Sequence, residues 1–296
     1  MFKKSILVSN ILDPLTHEKT DLEQVYKKLY DLNRYESIET RLIEDDELRQ
    51  SFNKIAKKRK WKTLFWITGV MSREGFNLSS CDETFRKKSV ERVYTLMDQA
   101  NHHICSYVGI ASGIIEKENN LNKQINRFSK SIYEIVEYIE NKQYSFNLVI
   151  EPLDQFAHKK NVLGSLDSWK KLMLNICNIS WLKNGRLSFC WDSAHVALNE
   201  DDFIETLKVM LPYLSHIHFS DAILNKNSNQ YGDYHREFDD KGIINLYTAK
   251  NIVHYLKKIK IKDRFLFVAV EVRTKNREDS WRNEEKYYNF LNKIIE

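Results

Sequence analysis

The chain has 296 residues, of which 42% are hydrophobic and 12% aromatic, enough to enclose a sizeable core and too apolar for a disordered chain. Its 46 basic and 41 acidic residues leave a net charge of +5, a mixed surface rather than a polycationic one. That balance disfavours nucleic acid as a partner and mildly favours small anionic molecules.

Lys3 and Lys4 precede Ile6-Leu7-Val8, but Ser9, Asn10 and Asp13 cut this apolar run short of a secretory signal. No segment approaches the roughly 20 apolar residues of a membrane span. Cys81, Cys105, Cys177 and Cys190 lack the paired spacing of a zinc ribbon or redox motif and read as free thiols, so a cytoplasmic protein is expected.

Apolar runs then alternate with segments of helical period. Strands are expected at 5–12, 36–43, 62–69, 104–110, 146–151, 186–192, 215–219 and 264–272. Helices are expected at 21–32, 45–58, 82–101, 121–141, 165–178, 200–214, 246–258 and 281–295, with Asp21, Asp82 and Asp167 at capping or first-turn positions. The chain holds 8 Gly and 3 Pro and no linker-like stretch, which argues for one domain over residues 1–296. Eight strands with intervening helices predict a single (β/α)8 TIM barrel.

Four of the apolar runs end in a residue that binds metals. Leu148-Val149-Ile150 runs into Glu151, the run 187–191 into Asp192, Ile217 into His218, and Phe267-Val268-Ala269-Val270 into Glu271. The four lie 41, 26 and 53 positions apart, close to one or two strand-plus-helix units. In a parallel barrel all strand C-termini open on one face, so the four converge there. A charged group at the end of a buried strand is costly unless it is paired, protonated or bound to a cation. Two Glu, one Asp and one His form a mostly hard donor set suited to one Mn²⁺, Mg²⁺, Co²⁺ or Zn²⁺ ion.

Other features have competing readings. Asp192-Ser193-Ala194-His195 fits a helix cap with a surface His as well as a ligand with a substrate-facing imidazole. His216 and His218 alternate in a strand, so they share one side, the lumen of a barrel. Arg273 is either the ion-pair partner of Glu271 or an anion contact. The polar stretch 220–243 carries Asp221, Asp233, His235 and Arg236, as expected of a loop on the catalytic face. Trp61, Trp66, Trp169 and Trp181 read as core, and the basic run 54–62 as a solvated helix end. Glu39 and Arg41 end the second strand, where pairing with each other's surroundings explains them as well as a site role does.

Ile150-Glu151-Pro152, Trp191-Asp192-Ser193-Ala194-His195, His216-Ile217-His218-Phe219-Ser220-Asp221 and Val270-Glu271 together resemble the motif series of the xylose-isomerase-like TIM-barrel superfamily. That superfamily includes sugar and sugar-phosphate isomerases and epimerases, inosose dehydratases and the family 2 apurinic endonucleases. The resemblance implies that Glu151, Asp192, His218 and Glu271 bind one divalent metal. It further implies that Glu151 and Glu271 exchange protons with the substrate, that His195 contacts it, and that a sugar-like carbonyl compound is isomerised or epimerised through an enediolate. His158, His235, Arg236 and Arg273 are further candidate substrate contacts, and Lys159 or Lys160 could also meet a phosphate. The family's association habits make a homo-oligomer compatible with this reading.

Two positions depart from the ketose-epimerase pattern: Ala157 stands where a second Glu is expected, six residues after Glu151, and Leu224 where an Arg is expected, six after His218. Gly232-Asp233-Tyr234-His235 and Lys241-Gly242-Ile243-Ile244 resemble a loop of the apurinic endonucleases, which implies a further zinc held by Asp233, His235 and His195. That family also takes a His from each of two early strands, and 63–71 and 104–113 contain none. His102 and His103 lie at the wrong end of their strand. A dehydratase and an apurinic-endonuclease-like phosphodiesterase are the alternative expectations.

Overall fold

The computed structural model describes residues 2–117, 120–259 and 265–296. Its strands are β1 (Phe2–Leu7), β2 (Ser37–Thr40), β3 (Lys62–Trp66), β4 (Tyr107–Ile110), β5 (Asn147–Ile150), β6 (Leu187–Asp192), β7 (Leu214–Phe219) and β8 (Leu266–Val270). They pair in parallel in chain order, and β1 closes the ring against β8 through Phe2↔Leu266, Lys3↔Phe267 and Lys4↔Val268. The predicted (β/α)8 barrel is the observed fold. Each strand is followed on the outside by helix, the longest being Glu83–Asn101, Leu121–Asn141 and Ser280–Ile295.

Period-two alternation sorts the strand residues into two cores. Ile6, Ile38, Phe65, Val108, Leu148, Ile150, Phe189, Ile217, Val268 and Val270 point outward into the main cluster shared with the helices. Leu7, Leu64, Trp66, Val149 and Cys190 form a separate cluster that fills the lumen, packed against Tyr107. Deeper in the lumen His216 stacks on Phe267 at 5.1 Å and meets Tyr107 edge-on at 5.1 Å. His216 therefore shares the lumen side with His218, as the alternation predicts, but burial drives its pKa down to about 4 and it packs as a neutral aromatic.

Three expected strands overrun: 36–43 leaves the sheet at Thr40, and two others turn into helix. The stretch 5–12 leaves the sheet at Leu7 and continues as the short helix Val8–Ile11, the polar Ser9 and Asn10 marking the change; 62–69 likewise turns into the helix Thr68–Arg73. Helix starts are better legible because the caps are explicit. Asp45 accepts from Leu48 N, Asp82 from Thr84 N and Phe85 N, and Asp202 from Ile204 N and Glu205 N. Asp21 and Asp167 stand in first turns, the cap of the latter's helix being Ser165. The expected strand start at residue 264 lies outside the described residues. Trp61, Trp169 and Trp181 pack in the main core; the four cysteines are free thiols. No helix among the described residues is long and apolar enough to cross a membrane.

His103, just before β4, shows how the fold depends on pH. Its Nε2 accepts from Ile43 N at 3.1 Å, while Nδ1 lies 3.0 Å from Gln99 O, so the neutral ring has no position left for a second proton. Burial lowers its pKa to about 4. The unfolded chain protonates this imidazole from about pH 6.5 downward, whereas the folded chain resists until about pH 4. The stability His103 lends is thus full above pH 6.5 and is lost as the pH falls through that window, by roughly 3 kcal/mol at its foot. Urea titrations at pH 7 and pH 4 should show a smaller pH difference in His103→Gln than in the unsubstituted chain; equal differences would contradict this.

Candidate metal centre

Glu151, Asp192, His218 and Glu271 meet at the C-terminal mouth of the barrel. The ladder continues one residue past β5 and β8, with Glu151 N donating to Ile110 O at 3.0 Å and Glu271 N to Phe219 O at 2.9 Å, so both carboxylates start from rigid backbone. All four side chains are buried, and each offers one ligand atom within 4.8 Å of the others. His218 Nδ1 lies 3.0 Å from Glu271 Oε2 and 3.5 Å from Glu151 Oε1. Asn10, on the helix Val8–Ile11, donates to Glu271 Oε1 at 2.8 Å.

Asp192 serves both readings of its motif. Its Oδ1 accepts from His195 N at 3.0 Å and caps the helix Ser193–Leu198, yet His195 is buried rather than on the surface. Ser220 Oγ donates to the same carboxylate at 2.5 and 2.6 Å. Burial raises the Asp192 pKa to about 6, against the pull of His195. Glu271 goes the other way: burial pushes up, but the charges of His235 and His218 outweigh it and bring the pKa to about 2. Each of the two carboxyls faces two imidazoles, but Asp192 is also pushed up by the charges of Glu271 and Glu151, whereas Glu271 gains a hydrogen bond from His218.

His195 Nδ1 accepts from Asp154 N at 3.1 Å, which leaves Nε2 as the donor available to a substrate oxygen. The carboxylate of Asp154 gathers His158 N at 2.5 Å and Lys159 N at 2.9 Å. The His158 ring stacks on Tyr234 at 5.0 Å, its Nδ1 is 2.9 Å from Asp233 O, and Lys159 Nζ is 3.2 Å from Asp233 Oδ2. His158 therefore ties the 154–160 strap to the long loop. His235 Nδ1 sits 3.2 Å from both Glu271 Oε1 and Asp233 Oδ1.

The remaining candidates stand apart. Arg236 pairs with Asp221 at 2.7 Å and also with Asp239, so its guanidinium braces the loop. Arg273 is exposed and its backbone N donates to His235 O at 2.7 Å; Glu271 is held instead by Asn10, His218 and His235. His195, Asp233 and His235 do not close to the four-ligand spacing among the described residues. Asn10, Asp154, Trp66 and Cys190 carry no site signal in the sequence, where Trp66 reads as core and Cys190 as a free thiol. Cys190 Sγ makes an overlapping group with Glu151 and His218, and burial holds its thiol well above its usual pKa.

The sequence matches the profile of the family described as Xylose isomerase-like TIM barrel over residues 30–289. The chain belongs to this family. Comparison with curated proteins returns no match. Among solved structures the chain is similar to D-psicose 3-epimerase from Clostridium cellulolyticum H10, at 14% identity and a TM-score of 0.73, with 100% of both chains covered. It is also similar to the IOLI protein with a bound zinc atom, at 15% identity and TM-score 0.67, covering 99% of this chain and 98% of that one. A family 2 AP endonuclease from Brucella melitensis gives 14% identity and TM-score 0.66, covering 97% of this chain and 99% of that one. At these identities the likeness is one of fold.

The donor set fits a divalent cation on its own terms. Glu151 Oε1 is buried and has no hydrogen-bond partner, although it faces an imidazole and two further carboxyls. A buried carboxylate oxygen without a hydrogen bond, with only a 3.5 Å contact to His218 Nδ1, is poorly repaid for its desolvation unless a cation sits against it.

Proposed function

We propose that the chain is a divalent-metal-dependent isomerase or epimerase of a sugar, sugar phosphate or related polyhydroxy carbonyl compound. The observation that carries this reading is the pair Glu151 and Glu271, two carboxylates from opposite parts of the ring that share one cluster with Asp192 and His218. Glu151, Asp192, His218 and Glu271 would hold the ion. When bound, the ion supplies polarisation of a carbonyl and its neighbouring hydroxyl, which lowers the cost of an enediolate.

The chain's own residues do the rest. Glu271 and Glu151, the latter with Oε1 free of hydrogen bonds, serve as the opposed base and acid. His195 Nε2 donates to a substrate oxygen, its ring fixed by Asp154. Return of the proton to the neighbouring carbon isomerises, and return to the opposite face epimerises. Ala157 and Leu224 replace two contacts of the ketose-epimerase pattern, so the polar grip falls to the strap and loop bearing His158, Lys159 and His235.

The test is metal content by mass spectrometry, for the purified chain and for Glu271→Gln. About one ion per chain, lost in the variant, is the expected result, together with solvent-deuterium exchange into a ketose in the presence of Mn²⁺ or Co²⁺. Absence of metal under every loading condition would overturn the proposal.

A second reading, a phosphodiesterase of the apurinic-endonuclease type, draws on Asp233 and His235. Both Asp233 oxygens and His235 Nδ1 are buried with no well-formed hydrogen bond, their contacts being ionic ones at 3.2 Å, and a further cation could take their place. Against it, the ammonium of Lys159 already lies 3.2 Å from Asp233 and the early-strand histidines are missing. Two or three zinc ions per chain with nicking of abasic duplex would favour it. Loss of water from an inosose, read as product mass, would instead mark a dehydratase.

A further inference from the structure

Glu39, the penultimate residue of β2, has 0% exposure and is in register with Leu7 on β1 and Leu64 on β3, both lumen residues. A carboxylate at such a place is costly by several kcal/mol unless its partners repay the desolvation. It has two. His218 Nε2 lies 2.9 Å from Oε2, across the lumen from a strand that is not a neighbour of β2, and Trp66 Nε1 donates to the same oxygen at 2.9 Å.

The indole is itself held in place by what is missing beside it. A Cβ at Gly109 on β4 would fall 2.1 Å from Trp66 Cε3, so the ring takes this position only because residue 109 is glycine. Trp66 also meets the His218 ring edge-on at 5.7 Å. Gly109, Trp66, Glu39 and His218 thus form a chain of contacts from β4 through β3 and β2 to β7.

We infer that Glu39 is the positioning residue of the metal centre, accepting the Nε2 proton of His218 and thereby presenting Nδ1 to the pocket of Glu151, Asp192 and Glu271. The geometry supports both halves of that statement. Nε2 is consumed by Glu39, and Nδ1 is the nitrogen that faces Glu271 Oε2 and Glu151 Oε1. An anionic acceptor on the distal nitrogen fixes the tautomer and ring orientation of a ligating histidine and increases its donor strength. Trp66 in turn fixes the oxygen that does this. The inference rests on the metalloenzyme reading above.

The test measures Co²⁺ affinity of the full chain after chelator stripping, by competition with a chromophoric chelator, with near-UV circular dichroism and urea unfolding on the same samples. Glu39→Gln keeps shape and volume but loses the charge. Glu39→Asp keeps the charge and withdraws it from Nε2 by one methylene. Both are expected to bind Co²⁺ about 10- to 100-fold more weakly than the unsubstituted chain. Trp66→Phe removes the second donor and leaves the carboxylate, so it should lose less than Glu39→Gln.

Unchanged Co²⁺ affinity in folded Glu39→Gln, or in Glu39→Asp should the Gln variant not fold, would overturn the inference and leave Glu39 a structural residue. So would wild-type affinity in Glu39→Asp with loss only in Glu39→Gln, since buried charge rather than contact would then be the cause. Failure of the unsubstituted chain to bind any metal would instead sink the metalloenzyme reading itself.

Discussion

Glu151→Gln should lower solvent-deuterium exchange into a competent ketose by about 10²- to 10⁴-fold, the range that a positioned acid or base contributes. The exchange assay isolates the proton-transfer step, so it reports on this carboxylate even where binding persists. Glu151 is the informative member of the pair because its Oε1 has no hydrogen-bond partner, whereas Glu271 is engaged by Asn10 and two imidazoles. The amide preserves volume and removes both the charge and the proton-accepting oxygen. Comparison at saturating Mn²⁺ separates weakened metal binding from lost proton transfer. Exchange within a few-fold of the unsubstituted chain at saturating metal would remove Glu151 from the chemistry.

Asp221→Ala has the largest expected effect on stability. The carboxylate is fully buried, accepts from Ile243 N at 2.7 Å and Ile244 N at 3.0 Å, and pairs with Arg236 at 2.7 Å. Burial raises its pKa, and the two backbone donors and the guanidinium oppose that rise. Truncation leaves two backbone N–H groups and an arginine without their acceptor, at a cost of about 3 kcal/mol. Urea unfolding should show this loss, and trypsin should cut sooner at Lys226, Arg236 or Lys241. Gly242→Ala should reproduce much of it, because a Cβ there would lie 1.7 Å from Asp221 Oδ2. Wild-type protease resistance in both variants would mean that Asp221 does not anchor the loop.

The strand ends were legible because each joins an apolar run to a residue that has no bland reason to be buried. Glu151 and Glu271 stood out in this way, and the structure brings them to one cluster with Asp192 and His218. Glu39 stood only as an even choice between structural pairing and a site role. It sits in the short strand Ser37–Thr40, whose flanks are polar, and nothing local marks it as buried; the barrel buries it by closing around it. Asn10 was hidden for a related reason, since the expected strand 5–12 spans it while the chain turns into helix after Leu7. Arg236 and Arg273 were equally good candidates on paper, but charge complementarity inside the loop, from Asp221 and Asp239, claims one of them and the other remains at the surface. Side-chain partners that come from distant strands are set by ring closure, which no local pattern encodes.

The stacked lumen has a consequence for traffic. With Leu7, Leu64, Trp66, Val149 and Cys190 packed together, and Tyr107, His216 and Phe267 closing ranks beyond them, the barrel has a floor. Among the described residues, a molecule at the cluster of carboxylates has no path through the lumen below it. Were the cluster to carry out the proposed conversion, reactant and product would share the barrel mouth and compete for it.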